Sequence, residues 1–171
     1  YRITGTRGTV NYLGISSIIN RYAVDGTMEV TGHIDHRQMD LGPNGEIDII
    51  LSKDEKPGNW LPLGESANSI TVRQTCQDRE NEARAEMKIE RIGAKDDRPA
   101  PLTAEKLQRG LQGAVMFVQG SAKMFEDWAE SFLPTLNDLP PADQDYCQSI
   151  GGDPNIFYFH SAWELEDDEV F

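Results

Sequence analysis

Three histidines, two cysteines and 29 acidic side chains are the groups in this 171-residue chain with the most obvious capacity for chemistry. Two of the histidines stand together in His33-Ile34-Asp35-His36, which raises the question of a metal ion. Alternate side chains of a strand point to opposite faces. His33 and Asp35 therefore share one face and His36 takes the other, so three ligands converge only through a bulge. His160 is distant in sequence and could add a ligand. The simpler expectation is a solvated strand edge or turn entry without metal. Cys76 and Cys147 form no C-x-x-C pair and lie at no zinc-finger spacing from a histidine, so no structural zinc is expected. Nucleophilic catalysis has equally little local support, because no G-x-S-x-G elbow occurs and neither Ser121 nor Cys76 has a base beside it. A cysteine or serine could meet His160 only through the fold. Carboxylate pairs are too numerous for any one of them to indicate glycosidase chemistry. No D-x-D-x-D-G loop offers a calcium site, and Gly5-Thr6-Arg7-Gly8 does not open a helix as a phosphate cradle would. No cofactor is expected.

Aromatic and cationic residues give a different kind of candidate. In Pro57-Gly58-Asn59-Trp60-Leu61-Pro62-Leu63, a Trp between turn residues presents a large apolar face and one N–H donor, which suits a core plug or a ligand platform. Arg73, on the next strand-like run, could stack on Trp60 or hold a carboxylate. Near the C-terminus, Tyr158, His160 and Ala162 share one face of an extended run, and Phe157, Phe159, Ser161 and Trp163 share the other. Trp60, Arg73, Tyr158 and His160 are thus the candidate ligand-binding residues, with a small organic acid or a sugar as the ligand. An architectural role for Trp60 and Arg73, with Arg73 fixing a loop, is the simpler reading.

The elements that must position these groups are mostly strands. Residues 1–92 alternate polar and apolar letters between turn signals, most clearly over 84–92, where Ala85, Met87 and Ile89 oppose Arg84, Glu86, Lys88 and Glu90. Further strand-like runs are 1–6, 9–15, 27–36, 46–51 and 69–76. Leu41-Gly42-Pro43-Asn44-Gly45 marks a turn, since Pro fixes φ and Asn-Gly tolerates left-handed backbone. Many short strands without intervening helices predict an antiparallel β-sandwich of jelly-roll type. After a polar, Pro-punctuated connector at 94–101 the period changes. Thr103 is a candidate N-cap, and Leu107, Leu111, Ala114, Val118, Ala122, Phe125, Ala129 and Phe132 recur at helical steps up to Pro134. This predicts one long helix over about 103–133, laid across a sheet face or edge, with Gly110, Gly113 and Gly120 allowing close approach. A short helix is expected over about 141–150, with Pro141 in its first turn, ending before Gly151-Gly152. An aromatic strand at 156–165 then returns to the sheet. The whole reads as one α+β domain, 1–171.

Sixteen Lys plus Arg leave a formal net charge of −13, and the basic residues form no stripe, so neither nucleic acid nor an anionic membrane is an expected partner. No run is long and apolar enough to suggest a membrane span. Cys76 and Cys147 could form one disulfide, and the simpler expectation is two reduced, buried thiols. The chain opens on strand-like sequence at Tyr1 and closes on Val170-Phe171, which reads as a portion of a longer polypeptide. No leader pattern is visible, and the cytoplasm is the favoured compartment.

Four segments together resemble a known family. The opening Tyr-Arg-Ile-Thr-Gly-Thr-Arg-Gly-Thr-Val, the Pro-Gly-Asn-Trp-Leu-Pro-Leu segment, Ile70-Thr71-Val72-Arg73-Gln74-Thr75 and Gly151-Gly152-Asp153-Pro154-Asn155-Ile156 are similar to the bacterial "domain of unknown function 1214". The resemblance implies a jelly-roll-like β fold with appended helices, placed C-terminally in longer proteins beside a companion domain. It carries over no catalytic residue, and residues 63–68 depart from the short Ala/Pro-rich turn of many relatives. The resulting expectation is a non-catalytic ligand-binding or assembly module of a larger bacterial protein. Two alternatives are an enzyme domain (a hydrolase, or a step in lipid or aromatic catabolism) whose site is shared with the companion domain, and a structural homo-oligomer.

Overall fold

The computed structural model of the chain describes residues 1–94 and 100–170. Most of the expected connector at 94–101 lies outside the described residues, as does Phe171. Contacts group the chain into two compact units, where the sequence reads as one domain. The first holds residues 1–20 and 30–100, and the second holds 21–29 with the chain from 101 onward.

The first unit owes its form to period-two burial. Strands β1 (Arg2–Thr6), β4 (Glu46–Ser52), β5 (Trp60–Pro62) and β7 (Glu86–Glu90) make one sheet in the order β5-β4-β1-β7. Strands β2 (Tyr12–Asn20), β3 (Met28–Asp35) and β6 (Ser69–Thr75) make the other, ordered β3-β2-β6. Register places Ile3 opposite Ile49 on one side and Ile89 on the other, and Leu13 opposite Gln74. Ile3, Ile47, Ile49, Leu51 and Leu61 from the first sheet share one interior with Leu13, Ile15 and Ile34 from the second. The sandwich is therefore present. β4 and β5 run parallel, with Leu51 facing Leu61, and the order does not establish the eight-strand double Greek key of a jelly roll.

Two local departures have physical causes. The second strand, expected over 9–15, runs instead from Tyr12 to Asn20, through Ser16-Ser17. Both hydroxyls are buried and satisfied: Ser16 Oγ lies 2.9 Å from His33 Nδ1, and Ser17 Oγ donates to Pro62 O at 2.6 Å. A buried hydroxyl with a partner is compatible with a core strand. The extra strand β5 follows a loop pinned by Asn59, whose side-chain amide accepts from Asp40 N at 2.7 Å and donates to Asp40 O at 2.9 Å.

The second unit is built on helix α1 (Ala104–Glu130), capped as expected by Thr103, whose hydroxyl accepts from Lys106 N at 3.3 Å. The helix stops at Glu130, and Pro134 sits in a 3-10 turn, Leu133–Thr135. Its covered side differs from the expected stripe. Leu107, Leu111, Val118 and Phe125 are exposed, whereas Met124 is buried and Gly120 approaches the loop at 21–29 so closely that a Cβ there would overlap the Tyr22 carbonyl oxygen. Tyr22 stacks on Phe117, with centroids 6.1 Å apart, and its hydroxyl donates to Ile150 O at 2.5 Å. Gly110 and Gly113 face open space, so only one of the three helix glycines answers to a close approach. The apolar sector of α1 is wide, and periodicity alone does not say which part of it meets a neighbour.

Helix α2 (Gln144–Ser149) begins later than expected. Asp143 caps it, accepting from Tyr146 N at 2.9 Å, while Pro141 bridges to Phe159 outside the helix. The aromatic run at 156–165 forms no sheet strand beyond that bridge. Its backbone accepts from Ala142 N at Tyr158 O (3.0 Å) and from Asn137 N at Ala162 O (2.9 Å), and otherwise bonds to side-chain amides. Tyr158 N donates to Gln144 Oε1 at 2.9 Å and Tyr158 O accepts from Gln144 Nε2 at 2.9 Å. Asn137 treats Glu164 the same way, at 2.9 Å and 2.8 Å. Each amide supplies one donor and one acceptor, so it satisfies an extended segment as a neighbouring strand would. Among the described residues no helix is long and apolar enough to cross a membrane.

Candidate functional site

The four expected ligand-binding residues fall into two pairs, one in each unit. In the first unit, Trp60 lies on edge strand β5 and donates its indole N–H to Ser52, 3.2 Å from the carbonyl oxygen and 3.1 Å from Oγ. It lines a shallow polar pocket of about 260 Å³ with His33, Asp40 and Lys56. Arg73 lies on β6, in the other sheet, opposite Gly14. Asn59 and Trp60 are thus both hydrogen-bonded into the surrounding backbone.

The histidine cluster of this unit stands on an edge strand at the entry to a turn, as expected, but it is less solvated than its letters suggest. Ile34 and Asp35 are buried, Asp35 to 2% of its exposure, because the Arg37 side chain folds over its carboxylate at 3.0 and 2.7 Å and Arg37 N donates to it at 2.7 Å. Hydrogen bonding to Arg37 holds the Asp35 carboxyl below the usual range despite burial. His33 sits between Ser16 Oγ, at 2.9 Å, and Tyr12 Oη, at 3.3 Å. His36 Nδ1 accepts from Leu13 N at 3.4 Å, and burial, aided by the charge of Arg7, pushes its imidazole below the ordinary value. Among the described residues no group of three or more His, Cys, Asp or Glu is placed to hold a metal.

Both shifts carry the same sign for stability. A depressed His36 means the unfolded chain takes up a proton first, so its contribution is complete above about pH 6.5 and declines as pH falls below it. The depressed Asp35 contributes fully above the ordinary carboxylate range, and that contribution is lost as pH falls through it. The urea midpoint of the chain should therefore fall between about pH 7 and about pH 5, and His36→Asn, whose Oδ1 takes the place of Nδ1 as acceptor for Leu13 N, should flatten that limb. A His36→Asn variant with the wild-type slope would contradict this account.

The second pair lies beside a larger cleft in the second unit. Its volume is about 500 Å³, and Trp128, Phe132, Tyr146 and His160 line it with Asp127 and Asp143. Helix spacing explains the first wall: Trp128 and Phe132 are four residues apart, so their rings meet at the end of α1, 5.7 Å between centroids. His160 stacks on Phe132 at 5.2 Å and 11°, and meets Trp128 edge-on at 4.7 Å and 71°. Tyr146, on α2, closes the other side 6.1 Å from Trp128. Burial raises the Tyr146 phenol, with the charge of Asp127 adding to it, so that wall stays neutral.

Tyr158 and His160 do share a face, their rings stacked at 6.0 Å and 16°. Tyr158 acts as the backing of His160: its hydroxyl accepts from Asp153 N at 2.8 Å, and its backbone is held by Gln144. The fold also brings Cys147 to His160, with Sγ 4.0 Å from Nδ1. Cys147 is buried, both cysteines are free, and burial followed by the charge of Asp143 raises the Cys147 thiol. A raised thiol is protonated at neutral pH and is a poor nucleophile.

Sequence reasoning missed Trp128, Tyr146, Asp127 and Asp143. The available signal was the close spacing of Asp127, Trp128 and Phe132 at the end of the long helix, a place where aromatic side chains leave the helix's own packing and can line a cavity.

A crystal structure of an uncharacterised protein from Burkholderia cenocepacia is similar to this chain, with 48% identity and a TM-score of 0.92 over 98% of the chain. The chain spans 46% of that protein's length. No protein-family model and no curated protein matches the chain.

Proposed function

We propose that this chain serves a larger bacterial protein as a non-catalytic ligand-binding module, with its site in the ring-lined cleft of the second unit. The kinship with the family of unknown function 1214 belongs to the same proposal. One observation carries the reading: four aromatic or imidazole rings converge on a cleft of about 500 Å³, within the size of small-molecule sites. Polar groups stand ready for orientation. The Trp128 indole N–H and His160 Nε2 have no hydrogen-bond partner among the described residues. Apolar walls with a few convergent polar atoms are the usual composition of such sites.

An enzymatic reading has the Cys147–His160 contact in its favour, at 4.0 Å. The buried, raised thiol weighs against it.

The test is a nitrogen-edited spectrum of the full chain, which separates the indole N–H signals of its three tryptophans. A library of small single-ring compounds, neutral and charged, should contain members that shift Trp128 and leave Trp60 and Trp163 in place. A library that never moves Trp128, or moves all three signals together, overturns the reading.

A further inference from the structure

We infer that the cleft is selective for an organic ammonium ion, a quaternary or tertiary amine carried on an apolar body. This rests on the proposal that the cleft binds a ligand, and it adds the sign of the ligand's charge.

The walls supply the first argument. Trp128 offers the ring type that attracts a cation most strongly, and Phe132 and Tyr146 add further electron-rich faces. An alkylated ammonium has few or no N–H groups to satisfy, so it can leave water for an aromatic wall without stranding hydrogen-bond donors.

The polar rim supplies the second. Asp127 and Asp143 both line the cleft, and among the described residues no Lys or Arg does. Asp127 is bonded to Lys123, which stands over the adjacent cavity, and Asp143 gives one oxygen to Tyr146 N in capping α2. The pair of carboxylates with one lysine leaves the rim negative.

Hydroxyl orientation is a third and independent argument. Ser131 donates its hydrogen to Trp128 O at 2.6 Å, and Thr135 donates to Phe132 O at 3.0 Å. With those hydrogens committed to the helix end, both hydroxyls present only lone pairs toward the cleft. An anion would meet two carboxylates and two hydroxyl oxygens with no proton to give, and only neutral donors such as the Trp128 indole N–H to offset them. A cation meets acceptors and ring faces.

Three probes of one shape separate charge from fit: choline, 3,3-dimethylbutan-1-ol and 3,3-dimethylbutanoate. Titrated into the full chain at fixed ionic strength and followed at the Trp128 indole signal, choline should bind about tenfold tighter than the alcohol. The butanoate should give no saturable shift. Asp143→Asn keeps a good N-cap and removes the charge, so the variant should narrow the choline-to-alcohol ratio several-fold while the fold is retained. Equal or tighter binding of the alcohol overturns charge selectivity and leaves the cleft as a neutral site. Saturable binding of the butanoate overturns it as well. Binding of none of the three also overturns it, and the ring-compound library then shows whether the cleft itself falls too.

Discussion

Replacing Trp128 with alanine should destabilise the second unit by about 3 kcal/mol, the largest loss expected from any single truncation there. The ring is the common neighbour of four others: Phe125 at 5.9 Å, Phe132 at 5.7 Å, Tyr146 at 6.1 Å and His160 at 4.7 Å. Deleting it removes the transferred area and leaves a void that the remaining rings cannot close, because His160 is already stacked on Phe132. Near-ultraviolet circular dichroism should lose most of the signal from this cluster, and urea unfolding should move to a lower midpoint at nearly constant slope. A loss below about 1 kcal/mol would mean that the ring cluster does not organise this unit.

The second large effect should separate three residues that look alike. Gly120→Ala places a methyl group against the Tyr22 carbonyl, a backbone atom that cannot swing aside, so the loop at 21–29 must move away from α1. Overpacking of this kind costs about 1–3 kcal/mol, enough to exceed the gain of about 1 kcal/mol that alanine brings to a helix. Gly110→Ala and Gly113→Ala meet nothing and should each raise stability by about 0.5–1 kcal/mol. Thermal melts of the three variants should therefore differ in sign, and a stabilising Gly120→Ala would contradict the close packing described for Tyr22.

What could be read from the letters depended on how each segment satisfies its backbone. Strands β1, β4, β6 and β7 and the capped helix α1 announce themselves, because alternation and a Thr cap are local properties. The Asn44-Gly45 turn is legible for the same reason, with Gly45 at φ +78°. The C-terminal aromatic run was misleading: its β-forming residues predict a strand, but beside two isolated backbone bonds it is held by the Gln144 and Asn137 side chains, which no periodicity flags. Ser16-Ser17 hid part of β2 behind loop-like letters, since only the fold brings His33 and Pro62 to their hydroxyls. The buried Asp35 was equally hidden, because its partner Arg37 reads on paper as a solvated charge. For the candidate site, His160 and Tyr158 were legible as residues sharing a face. Trp128 and Tyr146 were not, since their convergence depends on where α1 ends and α2 begins.

The run carrying Tyr158 and His160 is moored by two neutral side chains, Gln144 and Asn137. Neither gains or loses a proton across the ordinary laboratory range, and neither has a charge for dissolved ions to shield. Acidification or brine therefore finds no handle on these moorings, and can reach the seat of the imidazole only through ionisable groups such as Asp143. The β-sandwich is different, since the strand end at Asp35 and His36 feels the solvent's acidity directly.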